Sequence, residues 1–105
     1  MGEARIVFRG TTPTLNFELP FAANTVVDGF ISIAQNRQVV VDKSISDWII
    51  ADNTIKVTLT QEETLRLGAS NTTEIQLRVK LADGTALASK IFTVSTERIL
   101  RDGVI

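Results

Sequence analysis

In the stretch TLNFELP, residues 14–20, apolar and polar side chains change places at every step. On an extended backbone Leu15, Phe17 and Leu19 fall on one face and Thr14, Asn16 and Glu18 on the other. A helix would scatter the same residues around its circumference. The pattern returns along the chain: Ile31 and Ile33 share a side, Ile55, Val57 and Leu59 alternate with Lys56 and Thr58, and Ile75, Leu77, Val79 and Leu81 alternate with Glu74, Gln76, Arg78 and Lys80. Runs that are apolar on one side only must close face to face, so the chain is expected to fold as packed layers of pleated sheet.

The weaker runs need more interpretation. ARIVFRG predicts Ile6 and Phe8 inward, with Arg5, Val7 and Arg9 outward. GTTP, QNRQ, ADNT and ADGT supply turn chemistry between strands, and QNRQ leads into Val39, Val40 and Val41, which leave the inner face open. In the last strand Phe92 and Val94 predict the same face as Ala86 and Ala88, yet Lys90 lies on that register. A bulge or sheet edge is therefore expected near Ser89 to Ile91. About seven strands result, the signature of an antiparallel β-sandwich or barrel.

One segment breaks the rule. LTQEETLRLG spells a short helix over residues 61–67, with Thr60 and Glu63 as a capping box. Glu62 and Glu63 suit the first turn, Arg66 suits the last, and Gly68 is expected in the left-handed conformation that ends many helices. Two turns are too short to stand alone, so Leu65 and Leu67 are expected to pack on the sheets, making the helix a plug where the chain crosses between them.

The totals exclude more than they assign. A chain of 105 residues reads as one domain, residues 1–105, with 97–105 as a C-terminal tail. Eleven Lys and Arg against 12 Asp and Glu, all scattered, leave no basic cluster for nucleic acid. No apolar run approaches the roughly 20 residues of a membrane-spanning helix, and no signal peptide is evident, so synthesis in a cytoplasm is expected.

With no His and no Cys there is no imidazole base, no thiolate and no structural zinc set. Asp47, Asp52, Glu62, Glu63, Asp83 and Asp102 are the acids left for chemistry. No loop has calcium-ligand spacing, and most of these acids sit in turns. Neither catalytic residues, nor a metal site, nor a cofactor is expected, and the chain is read as a non-enzyme.

Two features remain as candidate sites. Trp48 is the single plausible aromatic platform for a saccharide, weighed against a place in the core. The tail ERILRDGVI carries Ile99, Leu100, Val104 and Ile105 after the last strand. Such residues either return over the domain's own core or dock on a neighbouring subunit. NTT at residues 71–73 matches a glycosylation pattern but reads as a polar loop.

Taken in order, FRGTTPTLNFELP, SIAQNRQVVVDKSI, DNTIKVTLTQEETLRL, EIQLRVKLADGTALAS and ERILRDGVI resemble small structural proteins of phage and prophage tails of Gram-positive bacteria. The same order is similar to the N-terminal domain of baseplate upper proteins. The resemblance implies an immunoglobulin-like sandwich that serves as an adaptor in the virion. Its implied partners are other tail or baseplate subunits and further copies of itself, and it assigns no individual binding residue.

Overall fold

The computed structural model describes residues 6–105, so the expectation for Arg5 lies outside the described residues. Among these, the strands in chain order are β1 (Ile6–Phe8), β2 (Thr14–Glu18), β3 (Val26–Gln35), β4 (Gln38–Ser44), β5 (Ile49–Ala51), β6 (Thr54–Thr58), β7 (Thr72–Leu81), β8 (Ala86–Ala88) and β9 (Phe92–Glu97). One α-helix, α1 (Gln61–Leu65), lies between β6 and β7. The larger sheet runs β1-β9-β7-β3-β4, with β8 also beside β7, and the smaller runs β2-β6-β5. That order is the B-E-D and G-F-C-C′ arrangement of an immunoglobulin-like sandwich. The all-β sandwich expected from alternation is the fold.

Two expectations about the strands are corrected. The sandwich is not wholly antiparallel, because β1 runs parallel to β9, Ile6 beside Ser95 and Phe8 beside Glu97. The faces of β1 are also reversed: Val7 is buried while Ile6 and Phe8 are about half exposed. Val7 pairs with Thr96, an inward residue of β9, and so inherits its phase. Three residues carry too little periodicity to set a face, so the neighbouring strand sets it.

Local backbone chemistry explains the irregular places. Asn36 (φ 52°) and Arg37 (φ 64°) form the two-residue turn between β3 and β4. Ile33 pairs with Val41 and Ala34 with Val39, which leaves Val40 as the extra residue of a bulge. That slip settles the three valines: Val41 enters the core and Val39 faces solvent.

The bulge expected near Ser89 is present. Arg78 pairs with Ala88 but Ile75 with Phe92, so three residues of one strand oppose two of the other. The slip changes which side chains share a face. Leu87, paired with Val79, lies on the inner side with Phe92 and Val94, though it is 40% exposed, whereas Ala86 and Ala88 lie on the outer side, contrary to the face predicted for them. Counting β8 and β9 as one broken strand, and β5 as a three-residue addition, accounts for the excess over the expected number.

Between the sheets, Ile31, Ile33, Val41, Ile75 and Leu77 meet Leu15, Phe17, Ile55, Val57 and Leu59. The Phe17 and Phe92 rings meet edge to face at 6.2 Å. At one point the core needs the absence of a side chain. A Cβ on Gly29 would stand 2.5 Å from the Arg78 carbonyl oxygen and 2.6 Å from Cη2 of Trp48. Gly29→Ala is therefore expected to destabilise the domain by about 1–3 kcal/mol through overpacking. Chemical denaturation reads this directly; an unchanged midpoint would contradict the packing of Trp48 on β3.

Candidate interaction surface

The helical corner is built as its sequence predicts at the start and differently at the end. Thr60 Oγ1 accepts from the Glu63 backbone N–H at 3.1 Å, and Glu63 Oε1 accepts from the Thr60 N–H at 2.8 Å, closing the capping box. The helix ends at Leu65, two residues earlier than expected. Gly68 does not take the left-handed conformation predicted for it, since the described glycines with positive φ are Gly10, Gly84 and Gly103. A Cβ there would lie 2.7 Å from Nδ2 of Asn71, the end of an exposed side chain that is free to turn aside.

Three side chains from the large sheet or its edge satisfy the corner instead. Arg9 donates through Nε to the Leu67 carbonyl at 2.8 Å and through an η nitrogen to the Leu65 carbonyl at 3.0 Å. Gln35 accepts from the Gly68 N–H at 2.8 Å and donates to the Gly68 carbonyl at 2.9 Å. It also reaches Thr73, which is hydrogen-bonded to Thr96. Lys43, 8% exposed, donates to both carboxylate oxygens of Glu63 at 2.9 and 3.0 Å. Leu67 and Thr64 are the fully buried residues of the corner, with Leu65 only half-buried.

The tail starts from this corner. Ile99 packs at the turn after β1, its Cδ1 3.0 Å from where a Cβ on Gly10 would stand. Asp102 accepts from Arg9, and the Ile105 N–H donates to Oε1 of Gln61 at 2.8 Å. The tail is thus held at three points, by the Ile99 side chain, the Asp102 carboxylate and the Ile105 N–H, while its apolar side chains divide. Ile99 is half-buried, as in the reading that returns the tail over its own domain. Leu100, 93% exposed, and the exposed Val104 and Ile105 face solvent. These are three exposed apolar side chains on a segment held by hydrogen bonds to the domain.

The other candidate is corrected. Trp48 is 8% exposed, donates from its indole to the Lys43 carbonyl at 3.2 Å, and lies over Gly29. It presents no platform to a sugar. The strand that follows turns Ile50 partly inward and leaves Ile49 exposed, so the Trp48–Ile50 alternation marks the core side.

Most of the candidate acids serve local structure. Asp47 accepts from the Ser44 N–H, Asp83 from the Thr85 N–H, and Asp102 from Arg9; Asp52 occupies a turn with φ 53°. Among the described residues no three acidic, histidine or cysteine side chains are grouped to hold a metal ion. An apolar depression of about 270 Å³ opens between β2 and β8–β9, its lining including Phe17, Leu19, Phe21, Val79, Leu87 and Phe92. Compared with known proteins, the sequence matches no family model and no curated protein.

Arg9, Gln35 and Lys43 were not singled out by sequence reasoning. Lys43 had a readable signal: it lies two residues beyond Val41, on the same strand face, and so faces inward where only a carboxylate could accompany it. Arg9 has the same relation to Val7, but the three residues of β1 carry too little periodicity to show which face is inward.

The pair has a pH signature. Burial raises the Glu63 pKa, but the Thr60 N–H, the hydrogen bond from Lys43 and its charge together outweigh burial and hold the carboxyl below its ordinary 4.5. A depressed folded-state value contributes stability that is complete above pH 4.5 and is lost as pH falls through the folded value. Glu63→Gln should destabilise the fold near neutral pH by about 3 kcal/mol, because the Lys43 ammonium stays buried without its partner. It should also flatten the acid limb of the stability profile; a parallel acid limb in wild type and variant would contradict the linkage.

Proposed function

We propose that the chain is a non-catalytic structural subunit of a phage or prophage tail, an adaptor that works within the virion through protein–protein contacts. The observation that carries this reading is the tail surface: Leu100, Val104 and Ile105 project from a backbone pinned by Arg9, Gln61 and the packing of Ile99. Exposed apolar anchors on a fixed frame bind with little ordering cost, which is what an assembly joint requires. The ordered resemblance to tail and baseplate proteins supplies the class of partner. The saccharide reading has lost its platform, because Trp48 is in the core.

An epitope inserted at Asp83–Gly84, an exposed turn away from the tail, marks the protein without touching the proposed contact. Immunogold microscopy of phage particles from the encoding host should place the label on the tail. Leu100→Ser combined with Val104→Ser should reduce incorporation at least about tenfold, the loss of roughly 1.4 kcal/mol of contact energy, while circular dichroism stays unchanged. Unlabelled particles, or full incorporation of the double variant, would overturn the proposal.

A further inference from the structure

Among the described residues the small sheet ends on β2, with no strand on its other side. The hydrogen bonds at either end of its ladder fix which backbone groups are free. The Leu59 N–H donates to the Pro13 carbonyl and the Leu19 N–H to the Asn53 carbonyl. In the register Leu15↔Val57 and Phe17↔Ile55, the odd residues of β2 therefore turn their backbone groups toward β6. The even residues, Thr14, Asn16 and Glu18, turn their N–H and C=O groups to the open side. Asn16, the central residue of the strand, also carries a buried side-chain oxygen, Oδ1, with no hydrogen-bond partner.

We infer that β2 is a self-pairing edge and that its partner is a second copy of this chain, joined antiparallel across a two-fold axis at Asn16. The inference goes beyond the tail contact and does not depend on it. An antiparallel two-fold centred on Asn16 sets Thr14 opposite the partner's Glu18, Asn16 opposite the partner's Asn16, and Glu18 opposite the partner's Thr14. These are the residues whose backbone groups are free, so each opposed pair exchanges two hydrogen bonds.

The register carries no penalty of charge, because neither Glu18 meets a like charge and each lies across from a hydroxyl. It places the two central residues, Asn16 and its copy, directly opposite one another on the axis. On the inner face it sets Leu15 against the partner's Phe17, beside the apolar depression that opens between β2 and β8–β9. Pro13 and Pro20 bracket the strand, and Pro20 has no N–H, so the ladder stops after β2 and cannot run on into an open aggregate. The result is one continuous sheet, β5-β6-β2 joined to its symmetry copy, with isologous contacts that close on themselves.

Sedimentation velocity of the full chain tests the inference. The wild type should sediment as a dimer. Asn16→Asp places two like charges on the axis and should weaken association at least about tenfold, with an unchanged far-ultraviolet spectrum. The chain has no cysteine, so Asn16→Cys adds a single thiol at a pair whose Cα separation of about 5.5 Å suits a disulfide. Mild oxidation should cross-link it, whereas Lys56→Cys, one strand inward on the same face, should stay unlinked. A monomer at every concentration, a dimer indifferent to Asn16→Asp, or equal cross-linking at both positions would overturn the pairing. A dimer lost with Leu100→Ser but kept with Asn16→Asp would assign association to the tail and also reject β2.

Discussion

A helix end at the mouth of a hydrophobic core leaves carbonyl groups that must find donors, and α1 is placed at such a mouth. Its closing residues cannot be left to water, since Leu67 and Thr64 are fully buried there. The donors come from side chains fixed by the large sheet: Arg9 from the end of β1, Gln35 from β3 and, at the first turn through Glu63, Lys43 from β4. The crossover from β6 to β7 is thereby bound to the sheet it enters. Because Arg9 also holds Asp102, the same guanidinium couples the corner to the C-terminal tail. Folding and surface display depend on one side chain whose planar donors reach three acceptors at once.

Much of the fold was legible because burial on one face leaves a period of two in the sequence. Leu15, Phe17, Ile31, Ile33, Ile55, Val57, Ile75 and Leu77 all lie in the core as their alternation requires. The capping box at Thr60 and Glu63 was legible for a different reason, as it is made entirely within four consecutive residues. What could not be read was set by partners distant in sequence. The phase of β1 comes from β9, the placement of Val39 to Val41 from a bulge, and the hydrogen bonding of Gly68 from Gln35.

The candidate site was only partly legible. Four apolar residues in the tail signalled that something must be covered, but only the folded chain divides them, Ile99 packing inward and Leu100, Val104 and Ile105 outward. The division follows from where the backbone is tethered, and those tethers run to Arg9 and Gln61, far away in sequence. Trp48 shows the opposite limit. An isolated aromatic in a strand serves equally well as a core filler or as a platform, and the missing side chain of Gly29 decides for the core.

Arg9 binds the corner and the tail into one unit. Amide hydrogen exchange of Arg9→Met against the wild type tests it most directly, since methionine keeps the apolar stem and removes every donor. The account predicts exchange at least about tenfold faster at residues 66–68 and at Ile105, with the central β3–β7 ladder retaining its protection. Equal protection of the corner and tail in both proteins would contradict it.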